Sequence, residues 1–138
     1  GDMRRAVTTL QSLHSLAVGG ANVSVETLHD IVGQPSAAVV DQLWQAVATS
    51  QSFDEMQQVV ESVCMDGYSA RVLLAALLPK LVVEPDLDEM SKAKLSIRMA
   101  EAEKNMIEGA SDYLQLMTFC SLGMTCFAES KRANQMEQ

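Results

Sequence analysis

Apolar residues recur every three or four positions along almost the whole chain, broken at short polar or glycine-containing stops. Met3, Val7, Leu10, Leu13, Leu16 and Ala17 predict a helix over 2–18, with Asp2 as its N-cap and Gly19-Gly20 as its stop. Ser24 opens a short second helix through Val25, Leu28, Ile31 and Val32, which Gly33-Gln34-Pro35 ends. A third runs over 36–49 with Val39, Val40, Leu43, Trp44 and Val47 on its inner side. Ser52-Phe53-Asp54-Glu55 is a capping box, and Met56, Val59, Val60 and Val63 carry that helix to Asp66-Gly67. Ser69 caps a fifth over 70–83, apolar at Val72, Leu73, Leu77, Leu78, Leu81 and Val82. Pro79 inside it predicts a kink or two separate short helices.

After the linker Glu84-Pro85-Asp86, a long helix over 88–108 reads as amphipathic through Met90, Ala93, Leu95, Ile97, Ala100, Met106 and Ile107. Gly109 interrupts the pattern. The last helix, over 110–128, is different: Leu114, Leu116, Met117, Phe119, Cys120, Leu122, Met124, Cys126 and Phe127 point around nearly its whole circumference. Such a helix must be buried on all sides, as a central core element, a subunit interface, or both. The polar tail 129–138 is expected to fray. No segment reads as a strand. The expectation is an all-α helical bundle of six or seven helices, with 114–127 among its most buried segments.

Composition supports this. Of 138 residues 48% are hydrophobic and only 4% aromatic, a mix that favours helices over a β-sandwich. A net charge of -8 repels phosphate backbones, so the chain alone is expected to bind duplex DNA negligibly. Cys64, Cys120 and Cys126 lack CxxC spacing and fit reduced thiols in a cytosolic or nuclear protein. No apolar window reaches a membrane span, so no membrane partner is expected. The charged N-terminus is not a targeting segment, and the abrupt helical start is that of a piece of a longer protein.

Little of the chain carries chemistry. His14 and His29 lack a metal-binding spacing, and neither has a cysteine nearby in sequence, so no metal site is expected. Glu101/Glu103 and Asp86/Asp88/Glu89 form no calcium loop and read as solvated helix faces. Neither GxxxxGK[ST] nor GxGxxG occurs, which excludes a P-loop hydrolase within this chain and leaves it without an expected catalytic residue or cofactor of its own. One feature is electrostatically odd: Arg4 and Arg5 lie in the first turn of a helix, where negative charge is preferred. An arginine there makes sense when it shares the positive end with an anion such as a phosphate. A merely exposed arginine fits the spacing equally.

Gly1-Asp2-Met3-Arg4-Arg5-Ala6, followed by Leu10-Gln11-Ser12, resembles the sensor 2 segment of clamp-loader small subunits, the replication factor C family of AAA+ proteins. Ser52-Phe53-Asp54 and Asp66-Gly67-Tyr68-Ser69-Ala70 match two further elements of that family. The most specific match is Ala100-Glu101-Ala102-Glu103-Lys104 with Glu108-Gly109-Ala110-Ser111-Asp112-Tyr113-Leu114-Gln115-Leu116. The resemblance covers residues 1–124 in order and spacing. It departs at Ser111-Asp112 and at Thr49-Ser50-Gln51-Ser52-Phe53, neither of which touches a catalytic group.

The resemblance implies that 1–19 is the last helix of an AAA+ lid, 20–128 a C-terminal collar or oligomerisation domain, and 129–138 a tail. It implies a nuclear hetero-pentamer with other replication factor C subunits, which loads a sliding clamp onto primer-template DNA in replication and repair. Clamp and DNA contacts, and ATP with magnesium, belong in that picture to AAA+ domains outside this chain. Arg4, with Arg5 as the alternative, is implied to reach the ATP phosphates of the full-length protein. The subunit interface is expected chiefly from the last two helices, at Tyr113, Leu114, Met117, Cys120, Leu122, Met124 and Phe127. A free-standing helical adaptor that binds partner helices is the alternative function.

Overall fold

Serine and aspartate caps set the helix starts in the computed structural model, which describes residues 2–20 and 22–136. Among these residues there are seven α-helices and no strand: α1 Met3–Val18, α2 Val25–Val32, α3 Ala37–Thr49, α4 Phe53–Met65, α5 Ala70–Val83, α6 Glu89–Ile107 and α7 Asp112–Met136. The amides of Arg4 and Arg5 donate to the Asp2 carboxylate, at 3.0 and 3.3 Å. Ser24, Ser52, Ser69 and Asp88 cap α2, α4, α5 and α6 in the same way. The capping box closes one residue early: the Glu55 carboxylate accepts from the Gln51 amide at 3.1 Å rather than from Ser52.

The chain divides into two compact units, residues 1–36 and 37–138. The division falls between Ser36 and Ala37, and not at the glycine pair where the sequence placed it. Gly19-Gly20 marks a turn only; α2 folds back on α1 and belongs to the same unit. No residue of α1 is buried, and its Met3, Val7, Leu10 and Val18 are well exposed.

In the second unit α7 is the central element, packing on α3, α4, α5 and α6. Leu116, Phe119, Cys120, Cys126 and Phe127 of α7 are buried, and they meet Leu43 and Val47 of α3, Met56 and Val60 of α4, Leu77 and Leu81 of α5, and Leu95 of α6 in one core. Trp44 stands edge-on to Phe127, with ring centroids 5.7 Å apart, and donates its indole N–H to the Glu84 carboxylate at 2.8 Å. Gly123 lets α7 approach α3 closely: a Cβ there would lie 2.4 Å from Val47 Cγ1.

Three expectations need correction. Pro79 does not divide α5, which is continuous; Ala75 and Pro79 are both exposed, so the carbonyl that loses its donor faces outward. The tail does not fray after Ala128, because α7 is helical to Met136 and Lys131 Nζ donates to the Ala48 carbonyl at the end of α3, at 2.8 Å. Residues 137 and 138 lie outside the described residues. In α6 the inward face is Ser91, Leu95, Met99 and Ala102, while Met90, Ala93, Ile97, Ala100 and Ile107 point outward.

Candidate functional site

Two places carry the expected functional residues, one in each unit. In the first, the Asp2 carboxylate occupies the N-terminal end of α1 and satisfies the amides of Arg4 and Arg5. Both arginine side chains are exposed, and neither has an ion-pair partner among the described residues. They are not equivalent. Arg5 lines the groove between α1 and α2, beside Ala6, Thr9, Leu28 and Gln34, and Arg4 does not. A guanidinium free of partners on a first helical turn is available to an anion approaching from outside the unit. Farther along α1, His14 lines an apolar depression with Leu10, Leu13, Ala17 and Val23. No three His, Cys, Asp or Glu side chains converge on a metal geometry among the described residues.

In the second unit the expected interface residues of α7 separate by burial. Met117, Cys120 and Phe127 are core residues of the chain's own fold. Tyr113, Leu122 and Met124 are half-buried against that core, and only Leu114 is largely exposed. Most of the apolar circumference of α7 is thus consumed by α3–α6. Tyr113 donates its hydroxyl to Glu61 Oε1 of α4 at 3.1 Å, and Gln57 donates to the same oxygen at 2.7 Å. Desolvation, then the Glu61 carboxylate, pushes the Tyr113 phenol upward.

The thiols are unsuited to nucleophilic chemistry. Burial pushes Cys120 up to about 12 and raises Cys126, and burial followed by the nearby Asp112 charge raises Cys64. On the α6–α7 seam, Gln115 Oε1 accepts from Arg98 Nη2 at 2.8 Å and from Asn105 Nδ2 at 3.1 Å. These polar contacts fix helix register; they do not assemble a reactive group.

The apolar surface lies mainly on α6 and α5. Met90, Ile97 and Ile107 of α6, and Leu78, Val82 and Val83 of α5, are exposed. The sequence placed Met90, Ile97, Ile107, Leu78 and Val82 in helix-forming apolar patterns without separating the outward set from the inward one. The signal was present: on α6 the spacings 90, 93, 97, 100 form a second stripe beside that of 91, 95, 99, 102.

Comparison with known proteins meets this geometry at the unit boundary. The replication factor C C-terminal domain family matches residues 35–121, which begin where the second unit begins and run into α7. Human replication factor C subunit 4 is 34% identical over 124 residues, 90% of this chain and 33% of that protein. Rice replication factor C subunit 2 is 34% identical over 121 residues, 88% of this chain and 35% of that protein. The replication factor C small subunit of Thermoplasma volcanium is 25% identical over 116 residues, covering 84% and 35%. The chain therefore spans about a third of the length of these curated relatives. Its central helix, its all-α unit and its match across more than half the sequence place the chain in the replication factor C C-terminal domain family, as the C-terminal part of a small subunit.

Proposed function

We propose that residues 37–136 are the collar by which a clamp-loader small subunit holds its neighbours, and that α1 presents the sensor 2 arginine, Arg4, to ATP in the full-length protein. The observation that carries this reading is the agreement of two boundaries: the family match starts at Pro35 and the α7-centred unit at Ala37. In that role the unit joins other replication factor C subunits in a nuclear hetero-pentamer. AAA+ domains outside this chain then bind ATP and magnesium, the sliding clamp and primer-template DNA. Arg4 suits its part because its guanidinium is exposed and unpaired, while Arg5 is turned toward α2. Its bidentate donors match phosphate oxygens, and its mounting on a helix couples nucleotide to the position of that helix.

The test uses the full-length protein. Its reading frame should encode a GxxxxGK[ST] loop upstream; a frame without one leaves a helical adaptor as the function. Arg4→Ala should weaken ATP binding or slow hydrolysis with the far-UV circular dichroism unchanged. Equal nucleotide affinity and equal turnover in wild type and variant remove Arg4 from the site. Removal of 37–136 should abolish co-purification with the other subunits, and retained assembly overturns the collar.

A further inference from the structure

The outward face of α6 has a pattern of its own. Met90, Ala93, Ile97, Ala100, Lys104 and Ile107 alternate at intervals of three and four, as the a and d positions of a heptad do, and all are exposed. Met90, Ile97 and Ile107 stand 64%, 61% and 72% exposed, which is unusual for three large apolar residues aligned on one helix. The stripe lies opposite the buried face of Leu95, Met99 and Ala102, so nothing in the second unit covers it. Scattered exposed apolar residues need no explanation; a register does.

We propose that this stripe is self-complementary, and that two copies of the chain pair through α6 in antiparallel orientation. The observation is the symmetry of the pattern. Laid antiparallel about a point between Ile97 and Ala100, the stripe sets Met90 on the partner's Ile107, Ala93 on the stem of the partner's Lys104, and Ile97 on the partner's Ala100. Every layer then opposes a large side chain to a smaller or flexible one, and the small Ala93 and Ala100 let the helices come close. The same register brings Lys94 beside the partner's Glu101, twice across the dyad, because the positions following d face each other in antiparallel pairs. Lys94 is exposed and has no ion pair among the described residues. Glu101 meets Arg98 at 3.5 Å on its own helix and keeps its other oxygen free, its side chain being 60% exposed. A parallel pair would instead place Lys94 and Glu101 against residues 89 and 96 or 96 and 103, acidic or uncharged in each case, and give no such pairing for Glu101. Because α6 is already held straight by α5 and α7, pairing does not have to order it. This inference needs only the chain itself and stands or falls apart from the collar reading.

The 138-residue chain, studied by sedimentation equilibrium, should dimerise reversibly at about 100 μM protein, in the range of small transient interfaces. Ile97→Asp should abolish the dimer while far-UV circular dichroism is unchanged, because the position is exposed. Lys94→Glu and Glu101→Lys should each raise the dissociation constant about tenfold by turning two attractive contacts repulsive, and the double variant Lys94→Glu/Glu101→Lys should restore it. In the Ile97→Cys/Ala100→Cys variant, oxidation should link the two copies. A chain that stays monomeric at this concentration overturns the proposal. So does a dimer indifferent to the charge swap, which would use another face, or cross-linking by Ile97→Cys alone as efficient as by the pair, which would mean parallel helices.

Discussion

Gly123→Ala adds one methyl group at the crossing of α7 and α3, and two effects of opposite sign then compete. Ordinary carbon contacts lie near ~3.5–4.0 Å, whereas the new Cβ would stand 2.4 Å from Val47 Cγ1. Val47 is 1% exposed, and as a β-branched residue in a helix it has almost no alternative rotamer, so the backbones must separate. Overpacking of this kind costs about 1–3 kcal/mol, and the better helix propensity of alanine returns about 1 kcal/mol. The expected net effect is a destabilisation of about 1 kcal/mol. In a Val47→Ala background the clashing Cγ1 is gone, and the nearest remaining atoms are Val47 Cβ at 3.9 Å and Leu95 Cδ2 at 4.0 Å. There the same substitution should stabilise by about 1 kcal/mol, since only the propensity term is left. Trp44, the single tryptophan, sits in this core beside Phe127, so its fluorescence reports urea unfolding of the second unit directly. Four chains, wild type, the two single variants and the double, complete the cycle. A coupling below about 0.5 kcal/mol, or the same sign in both backgrounds, would refute the close approach of α3 and α7.

Glu84→Ala should leave the half-buried Trp44 indole N–H unpaired, lower stability by about 1 kcal/mol and shift the emission of Trp44; unchanged urea midpoints would show that the bond contributes nothing. The hydrogen bond from Ser91, with the Met90 and Ser91 amides, holds the Asp88 carboxyl below its ordinary value. Its contribution to stability is therefore complete above the unfolded carboxylate range and lost as pH falls through the lowered value; Asp88→Asn should remove that part of the acid slope in a urea series from pH 6 to 2. At pH 8, iodoacetamide should modify native Cys64 before Cys120, whose thiol is pushed up to about 12, and mass spectrometry showing Cys120 labelled first would contradict its burial.

Helix starts were legible because capping is local: Asp2, Ser24, Ser52, Ser69 and Asp88 bind amides two or three residues away. The central position of α7 was legible too, since a helix apolar all round leaves no other arrangement. What failed was the choice between two apolar faces. On α6 the inner set includes Ser91 and Ala102, less hydrophobic than the outer Met90, Ile97 and Ile107, so periodicity alone favours the wrong side. Ser91 is tolerated inside because Asp88 accepts its hydrogen bond, a pairing visible only once the cap is built. The extension of α7 past Ala128 rests on Lys131 reaching Ala48, 83 residues earlier, and no local pattern encodes that. For the candidate site, the motif around Arg4 singled out the arginine, but separating it from Arg5 required the course of α2.

Because α7 supplies the shared wall for α3, α4, α5 and α6, the order of synthesis matters to the cell. As the ribosome releases α3 through α6, their apolar seams have only each other, and the side chains that complete them arrive last. Between the appearance of Ala37 and of Phe127 lie roughly 5–18 seconds at ordinary elongation rates. Throughout that interval the nascent second unit is a client for chaperones, and a message truncated before α7 yields a product without a closed core. Quality control at this unit therefore reads the end of the helix series: until Phe119 and Phe127 have been delivered, nothing before them is finished.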